Sequence, residues 1–89
     1  MDITVTKNLS PESLREYGVE KWPVWEKDVS EFNWHYDAKE TCYIIEGRAQ
    51  ITYGDEMKEI AAGDLVVFPK GLACTWNITE PLKKHYTFG

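Results

Sequence analysis

Few side chains in this sequence can do chemistry beyond charge pairing: the histidines His35 and His85, the cysteines Cys42 and Cys74, and the carboxylates, of which Glu40 stands shortly after His35. Imidazole nitrogen, carboxylate oxygen and thiolate sulfur can together hold a divalent ion with positions left open for water or substrate. A thiol beside an imidazole could instead serve as a nucleophile with its own base. The plainer reading is structural, with His35 a partly buried strand residue, Glu40 an interior carboxylate held by hydrogen bonds and Cys74 a small core hydrophobe. A buried carboxylate is costly without a partner, and the sequence offers no obvious arginine beside Glu40.

Whether these groups meet depends on the elements that carry them. One short helix is followed only by strands, the order of a sandwich or barrel. Ile3 and Val5 alternate with polar neighbours in a first strand. Ser10-Pro11-Glu12 opens a helix, with serine as cap, proline in the first turn and glutamate at the positive end of the dipole; Gly18 ends it. Phe32, Trp34 and Tyr36 share one face of a strand, and Asn33 and His35 share the other. Strands are expected at 41–46, 48–53, 57–61, 65–68, 73–79 and 82–88. Gly47, Gly54-Asp55, Gly63-Asp64, Pro69 and Glu80-Pro81 separate them. The count is about eight or nine strands around one core, as in a jelly-roll-like barrel.

Alternation along these strands places Cys42 and Ile44 on the face of Glu40, and Trp76 and Ile78 on the face of Cys74. His85 lies opposite Leu82, Tyr86 and Phe88, either exposed or as a further polar group in the barrel; parity does not choose between the two. Trp22, Trp25, Phe32 and Trp34 are read as packing an N-terminal arm, about residues 1–28, across the outside of a sheet. The alternative is an aromatic platform for a planar or sugar-like ligand at the barrel mouth.

A chain of 89 residues has room for a single domain spanning 1–89. Small domains need a high apolar payload, which four Trp, five Tyr and three Phe supply. The net charge of −5 disfavours nucleic acid, and the adjacent Lys83-Lys84 reads as a solvated strand end. No apolar run approaches the roughly 20 residues that span a bilayer, and the N-terminus lacks a secretory pattern, so a cytoplasmic protein without a membrane partner is expected. In a reducing compartment Cys42 and Cys74 are expected as free thiols, or Cys74 as a ligand.

Two glycine-ended segments carry a family resemblance. Glu40 is followed at the spacing of a first cupin motif by Gly47, and Gly63, Pro69 and Gly71 reproduce a second one. The chain resembles the cupins, and its 21–27 stretch and Cys74-Thr75-Trp76 strand resemble compact single-domain cupins related to ureidoglycine aminohydrolase. The resemblance implies an all-β cupin fold, a jelly-roll-like β-barrel or double-stranded β-helix with one short N-terminal helix. Typical metal-binding cupins carry two histidines separated by one residue, then the glutamate, and a histidine three positions after the second motif's last glycine. Here Glu40 is kept. With four residues between it and Glu40, the second histidine position is His35 and the first is Asn33; the third is Cys74, and Ile78 replaces an asparagine that often follows.

The resemblance therefore implies His35, Glu40 and Cys74 as ligands of one divalent ion (Mn, Fe, Ni, Cu or Zn), in an enzyme acting on a small polar amide, ureido or carbonyl compound. A metal-free barrel is the equal alternative. It would bind a small molecule through Asn33, His35, Glu40 and Trp76, or serve as a structural, homodimerising module; on either binding reading the pocket also takes in Cys42, Ile44, Ile78 and His85.

Overall fold

The structure is a computed structural model that describes all residues from Met1 to Gly89. Its elements are β1 (Thr4–Thr6), α1 (Pro11–Tyr17), a 3-10 turn (Val19–Lys21), β2 (Val24–Lys27), β3 (Ser30–His35), β4 (Glu40–Tyr53), β5 (Glu56–Ala61), β6 (Leu65–Phe68) and β7 (Ala73–Phe88). The helix begins and ends where the sequence places it. Ser10 Oγ accepts from the Ser13 N–H at 3.1 Å, and Gly18 closes the helix in the left-handed region at φ 72°.

Every strand pairing is antiparallel, in a seven-stranded sheet ordered β1-β6-β4-β7-β2, with β3 also on β7 and β5 also on β4. The fold is the expected all-β cupin barrel, but with fewer strands than the turn residues suggest. Gly47 and Glu80-Pro81 do not break the chain; they bend β4 and β7, which stay paired with each other from Glu40 opposite Phe88 to Thr52 opposite Thr75. The register slips between Ile44 and Ala49, and the bulges there absorb a proline that cannot donate to the ladder. Gly47, at φ 94°, lies so close to the other strand that an added Cβ would stand 2.2 Å from the Pro81 carbonyl oxygen. Glycine is thus required at the crossing of the two long strands.

Inward positions of β4, β6 and β7 form the core: Cys42, Ile44, Ala49, Ile51, Val66, Phe68, Trp76, Ile78 and Leu82 are buried, with Ile3, Tyr36 and Ile60 beside them. The Gly63-Asp64 turn is fixed from inside. Asp64 Oδ2 accepts from the Ala61 N–H and from the Lys7 ammonium, both at 2.9 Å. No helix is long and apolar enough to cross a membrane.

Candidate functional site: an aromatic cavity over a buried ion pair

Register decides which side chains of β3 enter the barrel. Phe32 pairs with Trp76 and Trp34 with Cys74, both partners being buried, while Asn33 pairs with Thr75 and His35 with Ala73. Strand alternation therefore turns Phe32 and Trp34 inward, and Tyr36, just beyond the strand, follows them and is buried. With Trp25 from β2 and Tyr86 and Phe88 from β7 they wall a cavity of about 250 Å³, and Glu40 and Lys84 are its charged lining residues. Trp34 and Phe88 are each about half exposed, at 51% and 52%, and so stand at its opening.

The aromatic rings brace one another. Phe32 and Trp76 are parallel within 5° at 6.1 Å, Tyr36 stacks on Phe68 at 4.8 Å, and Trp25 meets both Phe32 and Trp76 edge-on. Such pairings add about 0.5–1.5 kcal/mol each beyond their buried area. The arm preceding β3 thus does not pack its aromatics outside a sheet: Trp25, Phe32 and Trp34 line the cavity because β2 and β3 are themselves strands on β7. Trp22 serves with its backbone, its carbonyl lying 2.9 Å from His85 Nδ1.

Glu40 and Lys84 form a fully internal ion pair. The Lys84 ammonium donates to Glu40 Oε2 at 2.9 Å, and the two side chains are only 7% and 4% exposed. The ammonium also lies over two indole faces, 4.9 Å from the Trp25 centroid and 4.7 Å from that of Trp76. Two ring quadrupoles and a carboxylate together offset the loss of hydration, which for a lone buried ammonium is prohibitive. The carboxylate is less well served, since Glu40 Oε1 is buried without a hydrogen-bond partner.

Lys84 is the residue that sequence reasoning missed. As half of Lys83-Lys84 it read as solvated, and Lys83 indeed reaches only toward Glu26, at 3.8 Å. Alternation carried a signal all the same, because Lys84 shares its face with Leu82, Tyr86 and Phe88.

The expected ligand set is not assembled. His35 points outward, 60% exposed, and its Nδ1 pairs with Asp37 at 3.2 Å. Asn33 is on the same outer face, where its Oδ1 accepts from Thr75 Oγ1 at 2.9 Å. The residue counting places His35 at a ligand position, but strand parity gives the inward positions to Trp34 and Tyr36. Cys74 does face inward and is buried, as is Glu40. No group of three or more His, Cys, Asp or Glu side chains is placed to hold a metal ion, and the cavity's one carboxylate, Glu40, is already bound to an ammonium. The residues present do not fit a cupin metal centre.

Of the expected pocket residues only Trp76 lines the cavity. Cys42, Ile44 and Ile78 are solvent-free core, and His85 is turned away from it, toward Trp22. The thiols are free. Burial and then the Glu40 charge push Cys42 up to about 12 and Cys74 up to about 11, although Lys84 pulls the other way. His35 and Cys74 border a shallow surface hollow together, but a thiol held so far toward its neutral form is a poor nucleophile. Burial and the Glu40 charge likewise push the Tyr36 phenol far up, with the Trp76 indole opposing them. Tyr36 is neutral at any ordinary pH.

Comparison with known proteins agrees with this architecture. The chain overlays a DUF861 family protein from Thermotoga maritima with TM-score 0.95 and 52% identity, covering 99% of this chain and 100% of that one. It also overlays the EutQ protein of Clostridium difficile (TM-score 0.69, 18% identity, 97% of this chain and 66% of that one). A putative ethanolamine utilization protein Q from Salmonella typhimurium gives TM-score 0.68 and 16% identity over 99% of this chain and 69% of that one. The latter two likenesses concern the fold alone. No match was found among curated proteins. The EutQ-like cupin domain family matches residues 14–86, nearly the whole barrel with its bent β4 and β7. The chain belongs to the EutQ-like cupin domain family.

Proposed function

We propose that this protein is a metal-independent small-molecule-binding cupin whose ligand enters between Trp34 and Phe88 and rests on the Glu40–Lys84 pair. The observation that carries the reading is that pair itself. An ion pair stands at the position of the cupin motif glutamate, and it borders an aromatic-walled cavity of about 250 Å³. Apolar cavities with a few convergent polar groups are the usual form of small-molecule sites. The cavity is larger than the roughly 150 Å³ engineered cavity that accepts benzene.

The 52% identical Thermotoga maritima protein supports a shared cupin architecture and carries only a family designation. Membership of the ureidoglycine aminohydrolase-related group remains part of this proposal, and it brings amides and ureido compounds into the ligand screen. The test is thermal unfolding in excess chelator with one- and two-ring aromatics, amides and ureido compounds. A ligand at 100 times its Kd stabilises the native state by about 2.7 kcal/mol, so a hit raises the Tm by several degrees. Stabilisation that appears only with added metal would contradict the proposal.

A further inference from the structure

The polar part of the cavity is asymmetric. Lys84 gives a hydrogen bond to Glu40 Oε2, and its ammonium is otherwise covered by the faces of Trp25 and Trp76. One of its three N–H groups is hydrogen-bonded, and two ring faces shield the ammonium. Glu40 has capacity left: the residue is 3% exposed, it lines the cavity, and its Oε1 has no partner. Tyr36 is buried beside the same carboxylate, near enough for its phenol to interact with it, but Oε1 is left without a partner at hydrogen-bond geometry. What the floor presents to an incoming molecule is an acceptor.

Charge narrows the ligand further. Glu40 and Lys84 already neutralise each other, so a ligand bearing a formal charge would bring in an unpaired one, at large desolvation cost. Shape narrows it again. The walls are aromatic faces and edges, which favour a flat π-system in offset-stacked or edge-on contact, and the volume has room for one or two rings.

On the reading that this cavity is a ligand site, we infer that its ligand class is a neutral, planar heteroaromatic of one or two rings whose ring N–H donates to Glu40 Oε1. Leaving a buried acceptor unsatisfied is what makes such a site reject an isostere that lacks the donor.

The experiment is calorimetric titration of the full chain, in chelator, with indole, with its isosteres benzofuran and 1-methylindole, and with the charged benzoate and benzylammonium. Indole is expected to bind about tenfold or more tightly than either isostere and more tightly than both ions. The Glu40→Gln variant adds a second reading. Lys84 still needs an acceptor, so the amide oxygen turns to it and the amide NH2 faces the cavity; the preference for indole over benzofuran should vanish or reverse. If wild-type protein binds indole and benzofuran equally, or benzoate best, the donor-reading inference is overturned while the cavity remains a ligand site. If none of the five probes binds at millimolar concentration, the ligand-site reading falls, and this inference with it. The wild-type isostere comparison decides the matter even where Glu40→Gln fails to fold.

Discussion

Lys84 Nζ and Glu40 Oε2 meet at 2.9 Å with both side chains almost without solvent, on strands β7 and β4, the two long strands that run through the whole barrel. Their pairing therefore ties the site to the backbone of the fold. Breaking a buried pair from one side leaves an uncompensated charge, so Lys84→Met should destabilise the protein by about 3–5 kcal/mol in chemical denaturation. Combining it with Glu40→Leu should restore most of that loss, since apolar replacement of both partners is often neutral. Equal damage in the single and double variants would show that packing rather than charge holds this region.

The crossing at Gly47 makes a separate prediction. A Cβ there would collide with the Pro81 carbonyl oxygen, and the residue sits at φ 94°. Gly47→Ala should cost more than about 3 kcal/mol, whereas Gly18→Ala, at φ 72° but with nothing within 4 Å, should cost distinctly less. Urea titrations of the two variants side by side measure the difference. It follows from the clash, because both sites carry a left-handed backbone.

Alkaline pH should weaken the fold. Cys74 and Cys42 ionise in the folded state only near 11 and 12, above the ordinary thiol value of 9. Between the unfolded and folded values the native state holds protons that the unfolded chain has lost. The stability from these neutral buried thiols is thus complete below about pH 9 and declines as pH rises toward 11 and 12. Thermal unfolding should show a falling Tm across that window, less steep in Cys74→Ala. At pH 8 iodoacetamide should label the native thiols about two orders of magnitude more slowly than a free cysteine. Rapid labelling at pH 8 would mean that the barrel opens or that Cys74 is activated.

His35 separates the two accounts of the site. Because its imidazole is exposed and pairs only with Asp37, His35→Ala should change stability by no more than about 0.5 kcal/mol. It should leave affinity for any cavity ligand unchanged. A loss of bound metal or ligand in this variant would return His35 to the site.

How much of this was legible depended on whether the information was local. The Ser10 cap and Gly18 stop are local signals, and the structure follows them. The glycine and proline spacings identified the barrel. The same sequence separated Phe32, Trp34 and Tyr36 from Asn33 and His35 by parity, and the structure keeps that separation; counting back from Glu40 to a histidine ran against it. Gly47 and Pro81 looked like turns because each disrupts a single strand, and only their contact across the sheet shows that together they make a bend. Lys84 looked solvated beside Lys83, since its partners Glu40, Trp25 and Trp76 are distant in sequence.

The most direct test of the central claim, a ligand cavity that works without metal, is an NMR titration of the protein with indole in excess EDTA. The indole N–H and aromatic ring signals would be followed. The account predicts saturable shifts concentrated on Trp25, Trp34, Tyr36 and Trp76, unchanged when a divalent metal replaces the chelator. Shifts confined to residues outside the cavity, or shifts that arise only when metal is added, would contradict it.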